Sequence, residues 1–509
     1  MAAAGTLLRR VSDAAIRAWR MPAPETPPMG RLDKALALLF GATVLVLMWG
    51  FYATAMNTSW ARIAILGTVE PYGLAVHQQL IHNYANSGVF EQSIHRGYDD
   101  NWMWSGHRAL TLFGAAALYP FEPSALGLTR LLVAATALGA IPAALLGFRV
   151  IRAPWGLLAG ALIYLASPAV MVQALQDYQD LAFATSFLMF TTYALRGRSH
   201  LLAAVGLVVA VLPREECVPV AAAALLTAWP AGEGPRRRYL LRLLLGGALL
   251  GGFWSAMTAL FPLDAANTYD MPMLRVLERA LQSGSLSGNI GSFYAWCWAP
   301  FGALALLSPI TALPGVLVVV LHLTIPAGEA VDRTWAGHVH HLAPALPFFI
   351  AASIEGLGRL ASVLRRARRW GQALLLLGVV GGSAALPGWY EPRARWLGLL
   401  PTWTVKRPVR WNSAWSLAAS LPDDAVPVTT IWYSLTVADR RTSYTFGESL
   451  EDKARGKGLG AATHLLVGAN DTAPLRRAAK MDGYTLVKES NGVMLVTWTP
   501  GAVDAGATR

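Results

Sequence analysis

A short charged stretch between two apolar runs is the first candidate for chemistry in this sequence. Residues 211–220 read VLPREECVPV, so Arg214, Glu215 and Glu216 interrupt segments that otherwise carry almost no charge. Charged side chains at membrane depth are costly unless they are paired or functional. A guanidinium matches carboxylate and phosphate oxygens. The stretch therefore predicts either a turn in which Arg214 neutralises one Glu, or a site that binds an anionic group.

Acids, histidines and aromatic residues recur in three other segments. Residues 77–110 read HQQLIHNYANSGVFEQSIHRGYDDNWMWSGHRAL, residues 176–180 read QDYQD, and residues 338–341 read HVHH. Carboxylates and imidazoles are the groups that most often perform general acid–base catalysis. If the fold brings these segments to one face, they predict a polar cavity that acts on a polar substrate. Adjacent histidines rarely ligate one ion together, so a divalent metal is not favoured and no metal ligand is assigned.

The composition indicates which elements must position these residues. Of the 509 residues, 54% are hydrophobic and only 14% are charged, and the mean hydropathy is +0.41. Apolar runs of about 20 residues recur, which is the length of a membrane span. The sequence predicts an α-helical polytopic membrane protein. The net charge of +12 is then explained by cytoplasmic loops rich in Lys and Arg rather than by nucleic-acid binding.

We expect about eleven spans. The segment at 109–121 is apolar but too short to cross a bilayer easily, which favours a re-entrant or interfacial helix. The two cysteines, Cys217 and Cys297, lie in apolar surroundings and are expected to be small buried side chains without a disulfide framework. The predicted spans lie at 34–55, 124–148, 155–175, 180–196, 200–213, 216–231, 239–262, 292–308, 311–326, 339–361 and 373–390.

Arginine clusters fall on alternating connections and set the predicted orientation. RVIR, RGR, GPRRRYLLR and RLASVLRRARR belong to connections that the positive-inside rule assigns to the cytoplasm. The first twenty residues have the spacing of an amphipathic helix on the cytoplasmic surface, and a frayed terminus is the alternative. All four polar segments then lie on the outer side. An odd number of spans places the C-terminus there as well.

The predicted organisation has three parts. Residues 1–33 form the cytoplasmic N-terminus, and residues 34–390 form the membrane domain with a large first outer loop at 56–123. Residues 391–509 are expected to form a small soluble α/β domain outside the membrane. Its β-rich runs are VPVTTIWYSL, THLLVGA, YTLVKE and GVMLVTW, and its helical runs are WNSAWSLAASL and TAPLRRAAKM.

Five segments resemble, in order, the motifs of a family of bacterial polytopic proteins known as DUF2079. The resemblance covers most of the chain from about residue 77 to 498, and it implies similarity to the C-type (GT-C) glycosyltransferase superfamily. Those enzymes take sugars from polyprenyl-phosphate donors at the outer leaflet and carry acidic residues in the first outer loop. The matching segments are GVFEQSI with GHRALTLFGAAALYPF, SPAVMVQALQDYQDLAF, LPREECVPVAAA, HVHHLAPALPFFIAASIEGL, and LPDDAVPVTTIWYS with ATHLLVG.

The resemblance implies a role for individual residues. Glu91 would deprotonate the acceptor hydroxyl, Arg108 or Arg214 would hold the donor phosphate, and Glu215 and Asp177 would orient those cations. The chain departs from the family at its first loop acid, which falls on Asn86, and at the Glu of the second motif. The further substrate-binding candidates are His107, Glu216, Asn86, Gln92, Trp102, Trp104, His340 and His341.

The function expected from this combination is transfer of a sugar from a polyprenyl-phosphate donor to an acceptor. It would take place at the outer face of the bacterial cytoplasmic membrane, in the cell envelope, with membrane lipids and the lipid-linked sugar as partners. Intramembrane charges also suit a transporter or flippase of a lipid-linked or acidic solute, which predicts inverted repeats. A non-catalytic scaffold that presents the C-terminal domain is the third alternative.

Overall fold

The fold is seen in a computed structural model of the chain. The structure describes residues 30–65, 72–94, 100–101, 108–175, 178–197, 199–227, 236–260, 302–323, 343–365, 376–379, 409–446, 463–468 and 484–498.

Most of the described chain is helical, as expected where backbone groups have no water to bond and must pair within their own segment. The first helices are α1 Arg31–Ile65, α2 Tyr72–Ser87, α3 Thr111–Leu118, α4 Ala125–Leu138, α5 Ala140–Ile151, α6 Trp155–Leu165 and α7 Pro168–Leu175. They are followed by α8 Ala184–Leu195, α9 His200–Val211, α10 Cys217–Thr227, α11 Arg236–Leu260, α12 Gly302–Leu306, α13 Pro309–Leu323, α14 Leu346–Arg365 and α15 Val409–Ala419.

Among the described residues, three helical stretches are long and apolar enough to cross a membrane. They are Arg31–Ser59, Ala125–Ile151 and Tyr239–Leu260, which match the spans predicted at 34–55, 124–148 and 239–262. The segments predicted as spans at 180–196, 200–213 and 216–231 are shorter apolar helices. The count of about eleven spans therefore stays a prediction.

The span predicted at 155–175 is broken. Helices α6 and α7 meet at an angle of 57°, and the break falls just before Pro168. Proline disfavours a helical conformation in the residue before it and cannot donate to the preceding turn. Ser167 N donates to Tyr164 O over 3.2 Å at the break, which keeps these backbone groups paired.

Small residues let the central helices approach closely. A Cβ built on Gly147 of α5 would lie 2.2 Å from the carbonyl oxygen of Gly156 in α6, and one on Gly160 would lie 2.2 Å from that of Ala143. A Cβ on Gly356 of α14 would fall closer still to the Leu304 carbonyl oxygen of α12. Glycine at these positions permits the backbone-to-backbone packing that is typical of helices in lipid.

An ion pair at the far end of α8 connects three helices, α8, α13 and α14. Arg196, immediately after α8, is paired through its Nε with Glu355 of α14. Ser308 and Thr311, at the start of α13, donate to Glu355 Oε2 over 2.6 and 2.5 Å. Both charged side chains are largely shielded, at 14% and 13% exposure. Because the carboxylate has several partners, the pair is compensated in its low-dielectric surroundings.

The C-terminal part contains a five-stranded sheet in the order β4-β3-β5-β7-β6. The β4-β3-β5 part is parallel and the β5-β7-β6 part is antiparallel. Two short strands, β1 Glu91–Gln92 and β2 Asp100–Asn101, pair separately in the first loop. The sheet strands are β3 Pro427–Thr430, β4 Tyr444–Phe446, β5 His464–Gly468, β6 Tyr484–Ser490 and β7 Val493–Trp498.

The sheet agrees with the β-rich runs in the sequence apart from one segment. The end of VPVTTIWYSL forms a 3-10 helix, Ile431–Val437, instead of continuing the strand. Leu435 and Ala438 of this region are buried with the α2 core, so tertiary packing overrides the β propensity of the segment. The run TAPLRRAAKM lies outside the described residues.

A buried hydrogen-bond network joins α2 to residues 440–443 of the sheet region. Gln79 Nε2 donates to the Arg440 carbonyl oxygen over 3.1 Å and to Ser443 Oγ over 3.1 Å. Asn83 Nδ2 donates to the Arg441 carbonyl oxygen over 3.0 Å, and Ser93 Oγ to that of Ser443 over 2.7 Å. The 79–93 and 440–443 segments are therefore packed directly against each other.

The glycine contacts make a direct prediction about stability. Gly160→Ala should destabilise the protein by about 1–3 kcal/mol, because the new methyl group meets the Ala143 carbonyl oxygen and the helices must separate. Gly251→Ala in α11 is the matched control, since a Cβ there meets nothing within 4 Å. It should leave stability unchanged or raise it by up to about 1 kcal/mol through helix propensity. Thermal unfolding in nanodiscs measures both, and equal midpoints would contradict the close α5–α6 contact.

Candidate functional site

The centre of the candidate site is a buried pair between Arg214 and Asp180. Arg214 lies in the tight connection between α9 and α10, and Asp180 begins the 3-10 turn Asp180–Phe183 that leads into α8. Arg214 Nη2 lies 3.0 Å from Asp180 Oδ1, and Nε donates to Oδ2 over 3.3 Å. Both side chains are buried, at 5% and 0% exposure. This bidentate contact is the strongest arrangement of an Arg and a carboxylate.

The two glutamates beside Arg214 point in different directions. Glu216 Oε1 lies 3.9 Å from Arg214 Nη1, and the Glu216 side chain is 41% exposed. Glu215 Oε2 instead accepts a hydrogen bond from the backbone N–H of Arg108 over 2.8 Å. Adjacent residues on a helical turn diverge by about 100°, so only one of them can face Arg214. The expected acid partner of Arg214 is present, but its bidentate partner is Asp180 rather than either Glu.

His77 completes the surroundings of Asp180. Its Nε2 lies 3.9 Å from Asp180 Oδ1, and its Nδ1 donates to the Gly73 carbonyl oxygen over 2.7 Å. Leu181 N also donates to Asp180 Oδ1 over 2.9 Å. The Tyr178 ring lies 5.4 Å from the His77 ring, and its buried hydroxyl has no hydrogen-bond partner among the described residues. The site thus combines one guanidinium, three carboxylates, an imidazole and a phenol.

The N-terminal part of the first loop presents a second polar face. Gln78, His82 and Asn86 recur every four residues along α2 and share one side of the helix. The His82 ring meets the Tyr119 ring edge-on at 6.1 Å. Burial lowers the pKa of His82, and nearby Asp439 opposes that shift. Burial also raises the pKa of Tyr119 to about 12; Gln78 opposes this shift and Asp439 adds to it. Both side chains are therefore uncharged at neutral pH.

The predicted catalytic residue Glu91 lies in the short strand pair of the first loop. It is half-buried in β1, where its carbonyl oxygen accepts from Asn83 Nδ2 over 2.9 Å. No ion pair joins Glu91 to Arg214 in the part of the chain that is described. Gln92, next to it, is buried. Asn86 is exposed, and its Nδ2 donates to the His82 carbonyl oxygen over 2.8 Å.

Arg108, Glu215 and Glu216 are brought to the Arg214 connection. Arg108 is buried at 4% exposure, and Leu212 O accepts from Thr111 N over 3.1 Å. The 108–111 segment therefore lies directly on the connection. Six of the predicted site residues lie outside the described part of the chain: Asp177, His107, Trp102, Trp104, His340 and His341.

Sequence reasoning missed Asp180, His77 and Tyr178 as neighbours of Arg214. Asp180 is the last residue of QDYQD, but the resemblance implied a role for Asp177 instead. A useful signal was the next stretch, LAF, because an acid just before a fully apolar helix start must find a buried cation. No group of three His, Cys, Asp or Glu able to hold a metal ion occurs among the residues with described positions.

Comparisons with known proteins identify the fold. No family model matches the chain and no curated protein matches it, so the DUF2079 assignment stays a prediction. The crystal structure of ArnT from Cupriavidus metallidurans bound to undecaprenyl phosphate superposes with a TM-score of 0.54 at 12% identity, covering 92% of this chain and 98% of that chain. The apo structure of the same protein superposes with a TM-score of 0.49 at 12% identity, and the match covers 92% of this chain and 99% of that chain. The chain therefore has an ArnT-like fold.

Proposed function

We propose that the chain is a GT-C-type membrane glycosyltransferase that uses a polyprenyl-phosphate sugar as its donor. The observation that carries the proposal is the buried Arg214–Asp180 pair, with Glu215 and Glu216 beside it, in a connection between helices of an ArnT-like fold. The ArnT structure contains undecaprenyl phosphate, which is a ligand of the proposed chemical class. A guanidinium in this position suits the phosphate of such a lipid.

In the proposed complex, Asp180 positions Arg214 and the phosphate approaches its outer side. Nε and Nη2 of Arg214 face Asp180, whereas the one contact of Nη1 among the described residues is the looser one with Glu216 at 3.9 Å. Nη1 is therefore the donor that can turn to a phosphate oxygen at the smallest cost. Arg108 is the second proposed cation, because its backbone N–H donates a hydrogen bond to Glu215 and so holds the residue beside the Arg214 connection.

The proposed reaction is an in-line displacement at the anomeric carbon. A carboxylate accepts the proton of the acceptor hydroxyl, the new bond forms from that oxygen to the anomeric carbon, and the bond to the phosphate oxygen breaks. Polyprenyl phosphate leaves with the bonding electron pair. We assign the base to Glu91, and Asp177 and Glu215 to the support of the cations.

The remaining assignments concern substrate contacts and location. Asn86, Gln92, His107, Trp102, Trp104, His340 and His341 are proposed to contact the sugar or the lipid, and no metal ligand is assigned. Residues 1–33 are placed in the cytoplasm, residues 34–390 in the membrane and residues 391–509 outside. The alternating Arg clusters of the sequence support this orientation.

The donor site is tested by removing both charges of the central pair. Arg214→Ala leaves Asp180 buried without its cation and should cost about 3–5 kcal/mol of stability. The double variant Asp180→Asn/Arg214→Gln removes both charges and should fold better than the single variant. It should nevertheless bind undecaprenyl phosphate at least about ten-fold more weakly than the wild type.

The same experiment has a surface control. Arg130→Ala breaks an exposed pair with Glu122, whose side chains are 49% and 34% exposed, and should change neither binding nor stability by more than about 1 kcal/mol. Native mass spectrometry in detergent measures lipid binding, and thermal unfolding measures stability. If the double variant binds the lipid like the wild type, Arg214 has no phosphate role and the pair is structural.

The base assignment predicts a separation of binding and turnover. Glu91→Gln should retain undecaprenyl phosphate binding but lower turnover of the sugar-carrying donor by about 100-fold or more, because an amide cannot accept the proton. The measurement is loss of labelled sugar from the donor in membrane vesicles. Wild-type turnover in Glu91→Gln would move the base to another carboxylate.

The proposed orientation is tested by labelling. With Cys217 and Cys297 replaced by Ala, a cysteine introduced at Asn470 should react with an impermeant maleimide added outside the cell. A cysteine at Ala367 should react only after the membrane is opened. The reverse pattern would place the candidate site in the cytoplasm and remove the argument for a lipid-linked donor.

A further inference from the structure

The polar face of α2 that points away from Asp180 contains buried polar groups whose hydrogen bonding is incomplete among the described residues. Gln78 is 3% exposed and Tyr119 is 5% exposed. Gln78 Oε1 has no hydrogen-bond partner among the described residues, and the Tyr119 hydroxyl has only the weak contact with the Gln78 side chain that lowers its pKa. Buried polar atoms in folded proteins are nearly always satisfied, and exceptions call for an explanation such as a missing ligand. We call the group formed by Gln78, His82, Asn86, Tyr119 and Asp439 the Gln78 face.

The Gln78 face runs from the interior to the solvent. Gln78 and Tyr119 form its buried end, His82 is half-buried, and Asn86 and Asp439 are exposed. Gln78, His82 and Asn86 follow the four-residue repeat of α2, so these three are neighbours along one side of the helix. A molecule that enters from the solvent would meet polar groups all the way to the buried amide of Gln78 and the phenol of Tyr119.

The protonation state of His82 follows from its hydrogen bonds. Asn86 Nδ2 donates to the His82 carbonyl oxygen over 2.8 Å, which fixes the orientation of the amide. The same NH2 group lies 3.2 Å from His82 Nε2, which must therefore be an acceptor. The proton of the neutral ring is then on Nδ1. His82 adds a neutral donor to the face.

The chemistry of these groups selects a polyhydroxylated ring. The face offers an amide oxygen that accepts, a phenol that donates and accepts, a neutral imidazole N–H and the carboxylate of Asp439. Hydroxyl groups pair with each of these, whereas a phosphate would be repelled by Asp439 and would find no cation among the five residues. Alternating donors and acceptors beside an aromatic edge are suited to a sugar.

We propose that the Gln78 face binds a sugar, either the one carried by the lipid donor or a saccharide acceptor. This inference rests on the proposed function and identifies where its carbohydrate lies. The face and the Arg214 centre share one turn of α2, since His77 faces Asp180 and the next residue faces Tyr119. A lipid phosphate at Arg214 and a sugar on the Gln78 face would lie on either side of that turn.

The test uses two variants that should not harm the fold. Among the described residues, the polar atoms that Gln78→Leu and Tyr119→Phe remove make only the weak contact between Gln78 and Tyr119, so the melting temperature should change by no more than a few degrees. Tyr52→Phe in α1, whose ring stacks on Trp49, is the matched control. The probes are undecaprenyl phosphate, a panel of undecaprenyl phosphates each carrying one hexose or pentose, and the corresponding free methyl glycosides.

We expect each variant to bind a sugar-bearing probe about ten-fold more weakly, the cost of one lost hydrogen bond. Binding of bare undecaprenyl phosphate should not change. A loss confined to the lipid-linked sugars identifies the donor sugar, and a loss confined to the free glycosides identifies the acceptor.

Two results separate this inference from the proposed function. If the wild type binds bare undecaprenyl phosphate but both variants bind every sugar probe like the wild type, the Gln78 face is not a sugar site and the donor proposal stands. If the wild type binds no lipid probe, the proposed function fails. Weakened glycoside binding in the variants would then show a sugar site independent of a lipid donor.

Discussion

The buried contact between Arg214 and Asp180 constrains the part of the molecule in which the candidate site lies. Two charges with 5% and 0% exposure are tolerated only with full pairing, because each loses several kcal/mol of hydration on burial. Arg214 therefore fixes the α9–α10 connection against the turn that precedes α8. The same connection holds the 108–111 segment through Glu215 and Leu212. The pairing of these two charges therefore fixes the relative positions of three stretches of chain: the α9–α10 connection, the turn before α8 and the 108–111 segment.

Helix α8 carries a second buried pair at its other end. Asp180 lies just before the helix and binds Arg214, and Arg196 lies just after it and binds Glu355. A helix of 12 residues is only about 18 Å long. Both of its ends are therefore fixed by ions in surroundings of low dielectric. Moving either pair along the helix would leave a charge uncompensated. Helix α8 therefore sets the distance between the Arg214–Asp180 pair and the Arg196–Glu355 pair.

The sequence contained enough information for some of these features and not for others. The helices at 31–65 and 239–260 follow from apolar length alone, because the bilayer sets that length. An acid partner for Arg214 also followed, since an unpaired buried guanidinium is too costly. The identity of that partner did not follow, because Asp180 and Arg214 are 34 residues apart and only tertiary packing decides which acid reaches the cation. The 3-10 turn at Ile431–Val437 likewise depends on contacts with α2 that no local propensity encodes.

One turn of α2 explains why the membrane helices and the sheet region belong to a single structure. His77, Gln78 and Gln79 are consecutive, and each points about 100° away from the previous one. His77 faces Asp180, Gln78 faces Tyr119, and Gln79 donates to the Arg440 carbonyl oxygen and accepts from Ser93 N. Gln79 is fully buried, so without the 440–443 segment its amide would lose its donor contacts to that segment at a cost of about 1–3 kcal/mol. The sheet region therefore stabilises the same turn that presents His77 to the Asp180–Arg214 pair, and the geometry of the candidate site depends on both parts of the chain.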